Sequence, residues 1–380
     1  MVRKVNHKEL RTVIKHYYNL KPTPESLFIW GTFGIGKSRV IKDVAQELAL
    51  EKNKEFIDWH KTTPEQKQEL FSHPEKYFVL IDIRLSEYDS SDIKGLPDFQ
   101  SSDKKSIEFR IPYWALFLQL PDSDGILDFD EINLATPLVI SSCYKIIYDR
   151  VINDGKINNN WSIIGCGNKQ DDRANTCDIP PPLRDRGGEV ELVIPDIDAF
   201  TEWAVNNNIN TQIIGFLNFK SSNLFKVDFD DEQKFTTSRG WERVSKLIKD
   251  IDSKDLDTLS LITSSAISEG ISKEFMAYWK LSTQIDLDEI IKNPKQISGI
   301  TDIGTKFFIT TAIADKYKDQ KIKFVKIMEV SEVLDKNASP ELVAYLWRLS
   351  SGMSKQFKKD WMGTKGSDEK LIEKYGKYIL

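Results

Sequence analysis

The chain has 380 residues, 40% of them hydrophobic and 11% aromatic, which is enough apolar surface to bury about two to three domain cores. Its 53 basic and 58 acidic residues leave a net charge of -5, which argues against a nucleic-acid binder that relies on a general basic field. Three cysteines without a Cys-x-x-Cys pair argue against a disulfide framework or a zinc site, and the sequence has neither the apolar core of a signal peptide nor an apolar run of membrane-spanning length. We therefore expect a cytoplasmic protein.

The first predicted elements are an amphipathic helix over 7–20, ended by Pro22 and Pro24, and a buried strand over 27–30. A segment that fits the pattern G-x-x-x-x-G-K-S/T follows the strand and leads into a helix over 38–50; it reads Gly31-Thr32-Phe33-Gly34-Ile35-Gly36-Lys37-Ser38. Glycines let successive backbone N–H groups turn toward a phosphate, and the helix N-terminus adds its positive dipole.

This segment predicts an ATP site in which Lys37 bridges the β and γ phosphates and Ser38 ligates Mg²⁺. The alternative is a glycine-rich turn without a ligand, and the strand before it and the amphipathic helix after it favour the phosphate site. We expect the helix over 7–20 to pack beside the nucleotide base.

Four further apolar runs predict the remaining strands of a sheet, over 77–85, 125–131, 161–168 and 189–194. The segment 92–112 is rich in Gly, Pro, Ser and Asp and predicts a hairpin or loop insertion, and a helix is predicted over 137–151. Strands that alternate with helices predict the α/β class with a doubly wound, five-stranded parallel sheet, whose ligands bind at the carboxyl ends of the strands.

From residue 196 onward, helical periodicity replaces the strand signals. The predicted helices begin near Thr236–Ser238, Asp255, Ser272, Asp302, Ile322 and Ser339, with a weaker one over 367–380. The chain therefore divides into an N-terminal helix that packs on the core (1–21), a phosphate-loop core (22–195), a helical lid (196–285) and a C-terminal helical extension (286–380).

Polar side chains mark the carboxyl ends of two predicted strands. Asp130 and Glu131 end one strand, where the first can hold the shell of Mg²⁺ and the second can orient and polarise the attacking water. Asn168 ends the next strand and can hydrogen-bond the same water or the γ-phosphate. An asparagine at a strand exit is also a common turn former, and that alternative stays open.

Three arginines are candidates for contact with the phosphates. Arg184 and Arg186 lie in one loop, and an arginine that reaches the γ-phosphate of a neighbouring subunit speeds hydrolysis by orders of magnitude. Side chains two apart face the same way in an extended segment, so the spacing does not separate the two. Arg239 lies at a capped helix start and can reach the phosphates from the lid side; the alternative for each is an exposed surface arginine.

These residues together resemble a known family. The set Gly31 to Ser38, Asp130-Glu131-Ile132-Asn133, Asn168, Arg186 and Ser238-Arg239 resembles the AAA+ ATPases, and within them the MoxR-like group of prophage and bacterial ATPases that includes RavA, CbbQ and NorQ. The resemblance covers residues 7–290 well and the rest weakly. It implies the following roles: Lys37 as the Walker A lysine, Asp130 and Glu131 as the Walker B pair, Asn168 as sensor 1, Arg186 as the arginine finger and Arg239 as sensor 2.

Two positions depart from the family pattern. Asp128 replaces an apolar residue, and since a carboxylate in a buried strand is costly unless paired, we expect it to add to the charge on the metal side or to lie near a lysine. Arg186 is followed by Gly187-Gly188 where the family has an aromatic residue, so Arg184 remains a candidate for the finger.

The resemblance implies an ATPase that binds ATP and Mg²⁺, forms a homo-oligomeric ring, expected to be a hexamer, and acts as a chaperone that remodels a partner complex, with a von Willebrand factor A-domain protein as the expected partner. The alternative is a nucleotide-gated scaffold of a phage, secretion or defence complex with slow turnover. The intact Glu131 favours the enzyme, and the acidic charge balance disfavours a nucleic-acid motor.

Overall fold

The computed structural model of the chain describes residues 2–21, 24–99, 107–169, 177, 179–227, 235–337, 339–363 and 369–376. The chain forms two compact units, Met1–Ile194 and Pro195–Leu380. Among the helices that these residues form, none is long and apolar enough to cross a membrane.

The first unit contains a parallel sheet and two short antiparallel hairpins. Its strands are β1 (Arg3–Val5), β2 (Ser26–Trp30), β3 (Glu55–Asp58), β4 (Tyr77–Arg84), β5 (Leu96–Asp98), β6 (Glu108–Arg110), β7 (Gly125–Asp130), β8 (Val151–Ile152), β9 (Gly155–Lys156), β10 (Trp161–Gly167) and β11 (Gly187–Leu192). Seven of them form the parallel sheet in the order β1-β11-β2-β10-β7-β4-β3.

The helices of the first unit are α1 (His7–Tyr18), α2 (Lys37–Glu51), α3 (Pro64–Ser72), α4 (Ser90–Lys94), α5 (Tyr113–Leu118), α6 (Pro137–Tyr144) and α7 (Pro181–Arg184). Those of the second unit are α8 (Ile197–Asn206), α9 (Thr211–Phe219), α10 (Ser238–Leu247), α11 (Leu256–Ala266), α12 (Glu269–Gln284), α13 (Leu287–Lys292), α14 (Ile303–Lys318), α15 (Phe324–Lys336), α16 (Pro340–Met353), α17 (Lys355–Gly363) and α18 (Glu369–Tyr375).

The predicted α/β class, with a parallel sheet followed by a helical region, is confirmed, but the predicted count of five strands was wrong. All five predicted strands are present, and β1 and β3 extend the sheet at its two edges. Both are short and carry charged residues, and β3 is only half-buried, so neither has the continuous apolar run that marks a strand buried on both faces.

The predicted insertion is a hairpin in which β5 and β6 pair antiparallel, and residues 100–106 of its tip lie outside the described ranges. The helix predicted over 137–151 was wrong in its length. α6 ends at Tyr144, a π-helical segment covers Lys145–Asp149, and the left-handed backbone of Arg150 (φ 55°) then starts the β8–β9 hairpin.

The second unit is helical around one apolar core, in which Trp241, Phe275 and Phe216 pack ring against ring. Asp255 and Asp302 cap α11 and α14 as predicted. The helices predicted near Ser272 and from about Ile322 are present as α12, which begins at Glu269, and α15, which begins at Phe324. The weak terminal prediction corresponds to α18, and residues 364–368 and 377–380 are not described.

Strand register places the ends of the central strands together. Gly167 at the end of β10 pairs with Trp30 at the end of β2, and Phe129 near the end of β7 pairs with Gly165. Because the strands are parallel, everything that directly follows β2, β10 and β7 lies at the carboxyl edge.

The opposite, amino edge of the sheet carries a buried ion-pair cluster around Asp124. The Tyr18 hydroxyl donates to one carboxylate oxygen, and the ammonium groups of Lys52 and Lys54 lie 3.0 Å from the other. Burial alone would raise the pKa of Asp124, but the hydrogen bonds from Tyr18 and Lys52 outweigh it and hold the pKa below its usual range. The charged carboxylate therefore stabilises the fold.

We expect Asp124→Asn to lower the free energy of unfolding by about 2–3 kcal/mol at pH 7, because it removes the charge that two lysines share. A lowered folded-state pKa means that this contribution is complete above the unfolded carboxyl pKa of about 3.9 and is lost as the pH falls through the folded value. Urea titrations followed by tryptophan fluorescence should show that the difference in unfolding free energy between wild type and Asp124→Asn is smaller at pH 3 than at pH 7. Asp122→Asn is the control: Asp122 is exposed and left-handed, a conformation that asparagine tolerates, so this change should alter stability little at either pH. If Asp124→Asn were less stable than wild type by the same free energy at both pH values, the charge argument would be contradicted.

Candidate functional site

The loop between β2 and α2 has the backbone of an anion cradle. Gly34 and Gly36 adopt positive φ (73° and 97°), which side chains disfavour, and a Cβ at Gly31 would lie 2.9 Å from the Leu192 carbonyl oxygen. Gly36 is the N-cap of α2 and offers no capping side chain, and the first turn of α2 contains no acidic residue. The N-terminus of this 15-residue helix is therefore suited to an external anion.

Lys37 joins the loop to the end of β10. Its side chain is buried, and Nζ donates to the carbonyl oxygens of Gly31 (2.6 Å) and Thr32 (3.2 Å) and to Oδ1 of Asn168 (3.1 Å). These three acceptors are neutral oxygens. A phosphate oxygen would offer the ammonium group a charged acceptor and a stronger hydrogen bond.

Ser38 and Asp130 lie side by side. The Ser38 hydroxyl donates to Oδ2 of Asp130 (3.1 Å), while Oδ1 accepts from the backbone N–H of Glu131 (2.9 Å). Hydroxyl and carboxylate oxygens are the hard ligands that Mg²⁺ prefers, so this pair fits that ion. In the described ranges no group of three or more His, Cys, Asp or Glu side chains could hold a metal.

Glu131 directly follows β7 in a left-handed conformation (φ 54°), an uncommon one for a residue with a side chain. Its Oε2 accepts from the Ser86 hydroxyl (2.6 Å), and Nε of Arg84 lies 3.8 Å from Oε1. Sequence reasoning missed Arg84 and Ser86, because β4 and the turn that follows it carry no motif. A correct prediction that β4 pairs with β7 would have found Arg84, because this pairing places Arg84 opposite Asp130.

Two contacts that were not predicted support the loop and the β10 exit. Asn133 accepts from the backbone N–H of Asn168 (3.0 Å) and donates to its carbonyl oxygen (2.8 Å). His7, the first residue of α1, donates from Nε2 to the Ile35 carbonyl oxygen (2.7 Å). Asn168 thus has its backbone held by Asn133 while its side chain accepts from Lys37, so it does more than form a turn.

Asp128 lies among other carboxylates of the sheet. It is fully buried in β7 beside Asp82 and Asp130, and burial first, then these two carboxylates, raise its pKa well above the usual range. The thiol of Cys166 donates to it, its Oδ1 has no hydrogen-bond partner among the described residues, and none of their lysines forms an ion pair with it. The raised pKa favours the neutral acid in this structure. The charge of Lys37 offsets part of that rise, so the expected proximity to a lysine is present, and a contribution of Asp128 to the charge on the metal side stays a prediction. Burial and Asp130 likewise raise the pKa of Asp82 to about 6.

The two candidate arginines have different environments. Arg184 donates from Nε and Nη2 to both carboxylate oxygens of Glu189 (2.7 and 2.8 Å). Arg186 is exposed and its guanidinium carbon lies 4.1 Å from the ring centroid of Tyr148. The short helix α7 begins at Pro181 and ends at Arg184, so the segment is not extended up to that residue. Arg239 is an exposed residue of α10 in the second unit, and its predicted contact with the phosphates stays a prediction.

Comparison with protein-family models and with curated protein sequences finds no match for this chain. Solved structures match at low similarity. A point mutant of RuvB from Thermotoga maritima is 14% identical, with 76% of this chain and 75% of that chain covered at a TM-score of 0.35. The ORC2 protein of Aeropyrum pernix is 11% identical, with 94% of each chain covered at a TM-score of 0.35. Hsp104 with ATPγS and FITC casein is 15% identical, with 72% of this chain and 46% of that chain covered at a TM-score of 0.36. TM-scores this low assign neither an activity nor a partner to this chain.

Proposed function

We propose that this chain is an AAA+ ATPase of the MoxR-like group, which hydrolyses ATP in a homo-oligomeric ring and remodels a partner protein complex. One observation carries the proposal: two hydrogen-bonded pairs, Lys37 with Asn168 and Ser38 with Asp130, meet at the carboxyl edge of β2, β10 and β7. The four side chains come from the start of α2, the end of β7 and the residue that follows β10. They supply what the transfer of a phosphoryl group to water requires, namely a cation, a hydroxyl, a carboxylate and an amide.

Binding would use the loop and Lys37. The N-terminus of α2 receives the phosphates, and Lys37 exchanges its carbonyl acceptors at 2.6 and 3.2 Å for charged oxygens. Ser38 and Asp130 would hold Mg²⁺, which neutralises phosphate charge when it is bound. Asn168 keeps its backbone fixed by Asn133 and can turn its amide to the γ-phosphate or the water.

Glu131 would orient and polarise the attacking water. In this structure one of its oxygens accepts from Ser86, so Glu131 has to release that hydrogen bond to reach a water. Arg186 completes the site of a neighbouring subunit, which makes an oligomer, a hexameric ring by resemblance, part of the proposal. The lid (196–285) with Arg239, the extension (286–380), the von Willebrand factor A-domain partner and the cytoplasmic location are further parts of it.

The Ser86 contact also favours a second candidate, a nucleotide-gated scaffold with slow turnover. While Glu131 accepts this hydrogen bond from Ser86, the attacking water lacks its base. The steady-state rate of phosphate release separates the candidates: repeated turnover by assembled rings supports the remodeller, and stable rings that hold unhydrolysed ATP support the scaffold.

We expect Glu131→Gln to keep ATP binding and to lower hydrolysis by about a hundredfold or more, because the amide cannot accept a proton from water. The measurement is single-turnover phosphate release beside nucleotide titration, with light scattering to follow an ATP-trapped oligomer. Glu75→Gln changes an exposed glutamate outside the site and should leave both quantities unchanged. Normal hydrolysis by Glu131→Gln would move the water-orienting role to another residue.

A further inference from the structure

We propose that Tyr148 is a positioning residue for Arg186, and that its ring holds the guanidinium ready for the nucleotide of the neighbouring subunit. The inference rests on the proposed function and deepens it. It adds a residue from the helical segment that follows Asp130 and Glu131 to the site at which Arg186 acts on the neighbouring subunit. The contact that carries it is the 4.1 Å separation between the Arg186 guanidinium carbon and the Tyr148 ring centroid.

Tyr148 is unusually placed for a large aromatic residue. It is 55% exposed, whereas its neighbours Ile146 and Ile147 are buried in the core. It lies in the π-helical segment Lys145–Asp149 that continues α6, and single π-turns of this kind often occur at functional sites. The Ile147 carbonyl oxygen accepts from the Ser26 hydroxyl (2.7 Å), so the segment is tied to β2, the strand that leads into the phosphate loop. The ring is thus presented at the surface by a fixed backbone.

A stacked ring and a bound carboxylate constrain an arginine in different ways. Glu189 occupies N–H donors of Arg184, which are then not available to a phosphate. The Tyr148 ring covers the face of the Arg186 guanidinium and leaves the N–H groups, which point outward in its plane, able to donate. Among the described residues no carboxylate lies within ion-pair distance of Arg186.

The contact with Tyr148 orders the Arg186 side chain before the neighbouring subunit's nucleotide is engaged. An arginine side chain carries about 2 kcal/mol of rotamer entropy, part of which is lost when it engages a phosphate. A side chain that already rests on a fixed ring loses less at that moment, and a donor that is held in place before the reaction stabilises developing charge more effectively. Tyr148 thereby favours Arg186 over Arg184 as the trans arginine.

The test compares Tyr148→Leu, which removes the aromatic face, with Tyr148→Phe, which keeps it. An exposed cation–π contact is worth about 0.5–1 kcal/mol, so Tyr148→Leu should lower kcat for ATP about two- to fivefold, with KM, ring assembly and unfolding midpoint unchanged. Tyr148→Phe should stay close to wild type. Tyr113→Leu, which removes another exposed tyrosine (67% exposed) from the first unit, is the matched control and should leave kcat unchanged.

A double-mutant cycle isolates the coupling. In rings that carry Arg186→Ala, the further change Tyr148→Leu should have no effect, because the ring then has nothing to position. Additive losses, a kcat that rises in Tyr148→Leu, or equal losses in Tyr148→Phe and Tyr148→Leu would each overturn the inference. The proposed function fails in a different way, when wild-type rings do not hydrolyse ATP at all. If Arg186→Ala left the hydrolysis rate of active rings unchanged, both the finger assignment and the role of Tyr148 would be overturned.

Discussion

Lys37→Ala should abolish ATP binding, with affinity reduced about a hundredfold or more, since it removes a buried ammonium group at the position where phosphate charge arrives. Nζ already contacts the loop and the end of β10, so little rearrangement is needed when phosphates replace its carbonyl acceptors. Titration with a fluorescent ATP analogue measures the loss, and circular dichroism checks that the fold is kept.

Lys42→Ala provides the matched control for Lys37→Ala. Lys42 lies further along α2 and pairs with Asp58 (2.6 Å) rather than with the loop, so its removal should leave ATP affinity within about twofold of wild type. A Lys37→Ala protein that retains wild-type affinity within a few fold would exclude this loop as the phosphate site.

Arg186→Ala should keep ATP binding and lower hydrolysis by about a thousandfold or more, as expected for a finger that acts on the neighbouring subunit. Arg184→Ala is the matched control. The Nε and Nη2 donors of Arg184 are already hydrogen-bonded to Glu189, so removing this side chain should leave kcat close to wild type. Phosphate release from assembled rings measures both variants.

Mixing the inactive variants tests whether the arginine acts in trans. In rings assembled from equal amounts of Arg186→Ala and Glu131→Gln subunits, about a quarter of the interfaces join an intact Glu131 to an intact Arg186 from next door, so part of the activity should return. No recovery at any ratio in co-assembled rings, with recovery for Arg184→Ala instead, would transfer the finger to Arg184.

The parts of the site that the sequence predicted are contiguous in the chain. Gly31 to Ser38 and the Asp130-Glu131 pair are local patterns, and the apolar runs before them place both at a sheet edge. The same reasoning placed Asn168 at the edge but not its partner Asn133, because that pairing depends on how the backbone turns after β7.

The contacts that were missed join residues far apart in sequence. Ser86 lies 45 positions from Glu131, and His7 lies 28 positions from Ile35, and neither pair has a motif. Strand register, which a single sequence specifies weakly for buried parallel strands, decides which side chains of β4 and β7 meet. The spacing of Arg184 and Arg186 did not separate the two residues, because it says which way their side chains face only if the segment is extended, and Pro181 starts a helical turn there.

The burial of Asp128 beside Cys166 has a practical consequence for labelling. Burial raises the pKa of the Cys143 thiol to about 12 and that of Cys166 well above its usual range, so neither forms the thiolate that reacts with a maleimide. Cys177 is the remaining cysteine of the chain and is partly accessible. Its backbone N–H donates to the Asn133 carbonyl oxygen (2.7 Å). A dye on the unmodified protein would therefore attach at Cys177, next to the residue that holds Asn168, and ATP binding at the proposed site should change its emission.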